Sequence, residues 1–223
     1  MLNVKNTILE GLLSIVAPHL CSNCGRIKGT FCDNCKFDII NEPYVDCILC
    51  EKVSLSGVCA EHKVVFNQAW VVELRSGSLK RLIGGFKFRH MKVVSVDLPY
   101  LLNMILPQAS YDDYLCSFTM MLAHIRERGC SHMLPITTQL EKLRHLPAQR
   151  LLQRYNMLIQ RHIGRKERLK QAKIVFQVEG LTDSGVIFII LDDVVTIGAT
   201  ITLAAYLLHH PGATTIRVAV TSQ

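Results

Sequence analysis

Four cysteines in two closely spaced pairs constrain this chain more than any other feature: Cys21-x2-Cys24 and Cys32-x2-Cys35, separated by seven residues. Each pair puts two thiolates on one tight turn, and two such turns can face each other across a tetrahedral ion. Gly25, just after the first pair, supplies the permissive backbone that a metal knuckle often needs. Disulfides are unfavourable in a reducing compartment, and a redox C-x-x-C ordinarily stands alone beside a βαβ unit. The doublet therefore predicts structural zinc. A second set follows, Cys47-x2-Cys50 and Cys59-x2-His62, a Cys3His pattern with an eight-residue spacer. For this set the competing reading is a pair of buried apolar cysteines and a surface imidazole. A further alternative lets one pair from each set share a single ion. Cys116 and Cys130 have no partner at ligand spacing and read as core or loop cysteines. Residues 21–62 are too few to build a core, so metal is expected to supply the local folding energy.

The rest of the chain is ample for a packed domain. It has 223 residues, 49% of them apolar and 19% charged, which excludes a disordered polymer. No uncharged apolar run reaches the ~18 residues that a spanning helix needs. Ile8, Leu9, Leu12, Leu13, Ile15 and Val16 form a helical stripe broken at Pro18, expected to be an N-terminal helix packed on its own protein. No small-x-small cleavage site follows it, so a cytoplasmic location is expected. The organisation read from these features is an N-terminal helix and zinc-binding module over residues 1–65, then an α/β domain over residues 66–223.

Charge is unevenly placed. The formal net charge is +7, and zinc with seven thiolates and a neutral histidine would reduce it to +4 if both sets fill. Between residues 124 and 173 twelve Lys and Arg face only Glu127, Glu141 and Glu167, a local +9. This concentration suits an anionic partner, either a phosphorylated small molecule or a nucleic acid. The competing reading is a solvated helix face with Leu140, Leu143, Leu151, Leu152, Met157 and Leu158 buried opposite. Tyr155 is the one aromatic residue among the bases, so base stacking has little support.

Val186-Ile-Phe-Ile-Ile-Leu191 is a continuous β-branched and apolar run, predicted as a strand of a parallel sheet buried on both faces. It ends at Asp192 and Asp193. Val194, Val195, Thr196, Ile197, Gly198, Ala199 and Thr200 follow, then a helix over Ile201–His209 and, past Pro211-Gly212, a strand over Thr215–Val220. This is a βαβ unit whose loop lies at the carboxyl end of a strand, where α/β proteins bind ligands. Thr196, Gly198 and Thr200 offer hydroxyls and unpaired N–H groups to a phosphate. The acidic pair can hold vicinal sugar hydroxyls and, through water, Mg²⁺. Phosphate and carboxylate chemistry side by side describe a ribose 5-phosphate site.

Leu191-Asp-Asp-Val-Val-Thr-Ile-Gly-Ala-Thr200 resembles the phosphoribosyl-diphosphate (PRPP) loop of type I phosphoribosyltransferases. With C-x2-C doublets ahead of it, the chain resembles the competence-associated ComF family of bacteria. Lys87-Phe-Arg89, Arg126-Glu-Arg-Gly129, and the spacing of Gln160, Arg165, Glu167, Arg168 and Phe176 carry the likeness along most of the length. The chain departs from the family pattern at Ile197, where a second Thr is usual, at Cys130-Ser-His132 for Phe-Asn-Gln, at Ser117-Phe-Thr119 for Pro-Val-Pro, and at Gln171 for Asn.

The resemblance implies a phosphoribosyltransferase-like domain behind a zinc module, and a part in handling single-stranded DNA during natural transformation. DNA-processing or helicase proteins of the competence pathway are its implied partners. Two functional expectations follow. In one, the chain handles nucleic acid, with Arg126, Arg128, Arg161, Arg165, Lys166 and Arg168 along the strand. In the other it is a Mg²⁺-dependent transferase acting on PRPP, with Arg126 and Arg128 over the leaving diphosphate and Asp192 and Asp193 at the ribose. No acceptor and no general base is evident.

Overall fold

A computed structural model describes residues 20–21, 23–27, 31–73, 94–110, 113–120, 133–154, 176–178, 186–195, 198–209 and 213–223. In chain order the elements are α1 (Asp33–Asn41), β1 (Gln68–Glu73), α2 (Val94–Ile105), β2 (Asp113–Met120), α3 (Met133–Arg144), β3 (Ala148–Arg154), β4 (Phe176–Val178), β5 (Ile187–Val194), α4 (Ala199–His209) and β6 (Thr215–Ser222).

The strands form one six-stranded sheet in the order β1-β6-β5-β2-β3-β4. The first five neighbours run parallel, and β4 closes the far edge antiparallel to β3. As the sequence predicts, β5 is buried on both faces. Phe188 and Ile190 pack into one apolar cluster, Ile189 and Leu191 into the other. The strand continues past the acidic pair to Val194 because Asp192 and Val194 stay in register with Val220 and Ser222 of β6.

Helices cover both faces, as a parallel sheet requires. Leu98, Leu101 and Leu102 of α2 and Met133, Ile136 and Leu140 of α3 pack on one face. On the other lie Ile201, Ala204, Ala205 and Leu208 of α4. At the amino end of β2, Asp113 is 1% exposed and pairs with Arg217 of β6 at 3.3 Å.

One expectation from the sequence fails here. The apolar positions from Leu140 to Leu158 do not form one helix face. α3 ends at Arg144, where His145 takes a left-handed φ of 55° and the Leu146 N–H bonds the Glu141 carbonyl at 3.3 Å, a six-to-one C-terminal closure. Pro147 then favours extended chain before it, and Leu151 and Leu152 enter β3. Leu140 is buried, but Leu143 is 47% exposed. Met157 and Leu158 lie outside the described residues.

Candidate metal centres and ligand crevice

The two sets of ligands are separate and do not interleave. One ligand atom from each of Cys21, Cys24, Cys32 and Cys35 lies within 4.8 Å of the others, and the same holds for Cys47, Cys50, Cys59 and His62. The Sγ atoms of Cys24 and Cys32 are 3.6 Å apart, as are those of Cys50 and Cys59. A tetrahedral ion with Zn–S bonds of about 2.3 Å separates its sulfurs by about 3.8 Å. Both groups therefore fit structural zinc in ligand type and spacing.

Local backbone chemistry explains the first group. The Gly25 N–H bonds the Cys21 carbonyl at 2.9 Å, and Gly25 has φ +73°, closing the turn around the first pair. The second pair sits on α1, with Cys32 as its N-cap in extended conformation and Cys35 in its first turn. Helix N–H groups favour thiolates at such a terminus. Burial works against ionisation of Cys21, yet the N–H groups of Cys24, Cys32 and Asn23 outweigh it and bring the thiol down to about 6. Burial, with the neighbouring Cys32, pushes Cys35 up to about 12. Four thiols this close cannot all ionise unaided, and a divalent cation would supply the missing charge.

The second group repeats the turn. The Glu51 N–H bonds the Cys47 carbonyl at 2.9 Å, and Glu51 has φ 61° where the first knuckle has glycine. Burial raises Cys47, but N–H groups of Cys59, Leu49 and Cys50 lower it overall. The placement of His62 counts against the competing reading of a surface imidazole: its Nε2 is buried with no hydrogen-bond partner among the described residues. A buried imidazole nitrogen left unpaired is costly, and a metal bond removes that cost.

The knuckles grip opposite faces of the sheet. Cys21, Cys32, Cys35 and Phe31 join the cluster under α2 and α3. Asp97 of α2 fastens this knuckle by accepting the Phe31 N–H at 3.2 Å and pairing with Lys36 at 2.6 Å. Ile48 and Phe66 join the cluster under α4, with Leu49, Val58 and Val64 packed against it. Metal is thus not the only source of folding energy for residues 21–62, because their apolar side chains share the core of the α/β unit.

The second candidate site is a crevice. From β2 the chain crosses through α3 to β3 on one side, and from β5 it crosses through α4 to β6 on the other. Since α3 and α4 lie on opposite faces, the carboxyl ends of the adjacent strands β2 and β5 form a topological switch point, the usual ligand position in open α/β sheets. Asp192, Asp193 and Val194 stand there, as does the N-terminus of α4. The Asp193 N–H donates to Asp192 Oδ1 at 2.8 Å, and the Thr221 hydroxyl donates to the Asp193 carbonyl. The Val195 N–H bonds the Ser222 carbonyl at 2.9 Å, tying the loop to β6. Gly198 precedes α4 with φ +66° and accepts the Thr202 N–H at 2.9 Å, the first helical bond. Ser117 pairs with Leu191, so Ser117-Phe-Thr119 is on the strand adjoining the acidic pair. There the β2–β3 register shifts, Cys116 and Phe118 facing Gln149 and Leu152, an irregularity frequent beside functional sites.

Of the residues singled out in the sequence, the structure brings together the eight metal candidates in two groups, and Asp192, Asp193, Val194, Val195, Gly198, Ala199 and Thr200 at one end of the sheet. Thr196, Ile197, Arg126, Arg128, Arg161, Arg165, Lys166 and Arg168 lie outside the described residues. Among the described residues no helix is long and apolar enough to cross a membrane. Sequence reasoning missed Leu49, an apolar residue inside a metal knuckle with no motif to mark it. No protein-family model matches the chain, and no curated protein matches it significantly.

Proposed function

We propose that this chain is a ComF-like protein. In this reading a phosphoribosyltransferase-like domain, braced by two zinc knuckles, binds PRPP or a related nucleotide and handles incoming single-stranded DNA in the cytoplasm during natural transformation. The observation that carries the ligand reading is the position of Asp192-Asp193 and the α4 N-terminus together at the β2–β5 switch point. Carboxylates there bind vicinal ribose hydroxyls, and the loop from Thr196 to Thr200 takes the 5-phosphate on N–H groups and hydroxyls. Mg²⁺, when bound with PRPP, would be held through water by Asp192 and Asp193, where it neutralises diphosphate charge. The DNA part rests on the +9 segment of the sequence, whose basic side chains match a phosphodiester backbone.

Calorimetric titration with PRPP, with and without Mg²⁺, beside Asp192→Asn, tests the ligand reading. Micromolar binding that needs Mg²⁺ and is lost in the variant supports it. Absence of binding by zinc-loaded protein rejects it. The DNA reading fails if reversing charge together at Arg126, Arg128, Arg161, Arg165, Lys166 and Arg168 leaves single-strand affinity and its salt dependence unchanged.

A second reading, active phosphoribosyl transfer, is favoured by the same juxtaposition of carboxylates and helix N-terminus. Its test is diphosphate release from PRPP in the presence of candidate acceptor bases.

A further inference from the structure

Leu49 lies between two members of the second metal group, in Cys47-Ile-Leu-Cys50. Ile48 is fully buried, and its N–H bonds the Gly57 carbonyl at 2.9 Å. Leu49 stands in the turn between the ligand candidates Cys47 and Cys50, which the Glu51 N–H closes on the Cys47 carbonyl at 2.9 Å, so its orientation follows from that turn. Its side chain reaches across to Gly198. Leu49 Cδ2 fills the space a Cβ at position 198 would need, and Leu49 Cγ is 3.6 Å from that point. Thr202 Oγ1, in the first turn of α4, is 4.0 Å from the same point. Gly198 is buried, and its carbonyl accepts the first hydrogen bond of α4. The loop after β5 is therefore anchored on one side by Val195 to Ser222 of the sheet and on the other by Leu49 of the knuckle.

We infer that Leu49 is a positioning residue: it seats Gly198 and the first turn of α4 at the carboxyl end of β5, so that ribose-phosphate affinity depends on metal in the Cys47, Cys50, Cys59 and His62 group. The ligand half of this inference rests on the function proposed above, and the positional half does not. An apolar side chain is suited to the task. It fixes backbone by contact while leaving the N–H groups of the helix terminus to a ligand. Bound metal would tie the four ligand candidates of this knuckle together, so demetallation is expected to loosen the seat of Leu49 on Gly198.

Hydrogen exchange at the Thr202 amide, followed alongside PRPP titration, tests both halves. In zinc-loaded protein Leu49→Ala is expected to speed exchange at Thr202 about tenfold, with α2 amides unchanged, and to weaken PRPP binding by a similar factor. Leu49→Met, which keeps the volume and apolar surface, should restore both. Cys59→Ser should reproduce Leu49→Ala, whereas Cys24→Ser, in the group on the opposite face, should leave Thr202 exchange as in the wild type. The inference is overturned if Thr202 exchange in Leu49→Ala or Cys59→Ser equals that of wild type, or if Cys24→Ser has the same effect as Cys59→Ser. If wild type binds no PRPP, the ribose-phosphate reading falls, and the exchange data still decide whether Leu49 holds the loop. Should Leu49→Ala fail to fold, Leu49→Val supplies a milder truncation with the same readouts.

Discussion

Gly57 packs directly on the backbone of Ala69: a Cβ at position 57 would overlap the Ala69 carbonyl oxygen and stand 2.8 Å from the carbonyl carbon. This contact seals the outer edge of the sheet. The Ala69 N–H, which β6 does not use, bonds the Ser56 carbonyl at 2.8 Å, so the second knuckle covers an otherwise open strand edge. Gly57→Ala must relieve a backbone clash and also place an L side chain at φ +72°. The expected loss is about 2–5 kcal/mol. Gly25 has nearly the same φ, +73°, but no atom within 4 Å of a Cβ, so Gly25→Ala should cost only about 1–2 kcal/mol. Denaturant midpoints of the two variants, measured with zinc present, decide it. Equal losses would mean that the close approach to Ala69 is unimportant.

Glu51 occupies in the second knuckle the left-handed position that Gly25 occupies in the first, each N–H closing on the first cysteine of its pair. The strain of a non-glycine residue there exceeds the entropy that glycine adds to the unfolded chain. Glu51→Gly is therefore expected to stabilise the protein by up to about 1 kcal/mol, or about 2–4 °C in melting temperature for a chain of this size. A lower melting temperature would refute the equivalence of the two turns.

Zinc content should be two ions per chain by elemental analysis of protein purified without added chelator. Cys24→Ser should remove one of them, and Cys59→Ser the other, since the groups are separate. Chelation should destabilise both faces of the sheet, because each knuckle shares a cluster with it. A content of one ion in wild type, lost in either variant, would restore the shared-ion alternative.

Glu73 ends β1 with Oε2 buried and without a hydrogen-bond partner among the described residues. Burial, with the charge of Glu42 adding to it, holds its carboxyl above the ordinary range. A raised carboxyl pKa means the folded state disfavours the carboxylate. Its contribution to stability is intact below the unfolded value near 4.5 and is lost as pH rises through the folded value. Glu73→Gln should thus stabilise at pH 7, by about half a kcal/mol after allowing for solvent on its exposed side. The gain should vanish near pH 4. A gain independent of pH would point to packing instead.

Much of this was legible before the structure. The cysteine spacing marks two groups of four because a C-x2-C turn is local, closed by one hydrogen bond such as Gly25 to Cys21. The strand at Val186–Leu191 and the helix after it are found because both faces of β5 and the inner face of α4 are buried, and burial writes itself into hydrophobic pattern. β3 was not legible. Ala148-Gln-Arg-Leu-Leu-Gln-Arg154 shows neither strict alternation nor a β-branched run, and pairing with β2 decides its state.

The sequence by itself determined the chemistry held within short stretches of chain: thiols at ligand spacing, an acidic pair at the end of an apolar run, glycines where the backbone turns left-handed. Tertiary structure alone decided how those pieces meet. Which strand neighbours β5, which face each knuckle grips, and the seating of Leu49 on Gly198 all depend on contacts between distant segments. Hydrophobic pattern reports that a surface will be covered, because burial favours any apolar partner about equally per unit area. Shape and close packing, which the pattern does not record, choose the partner.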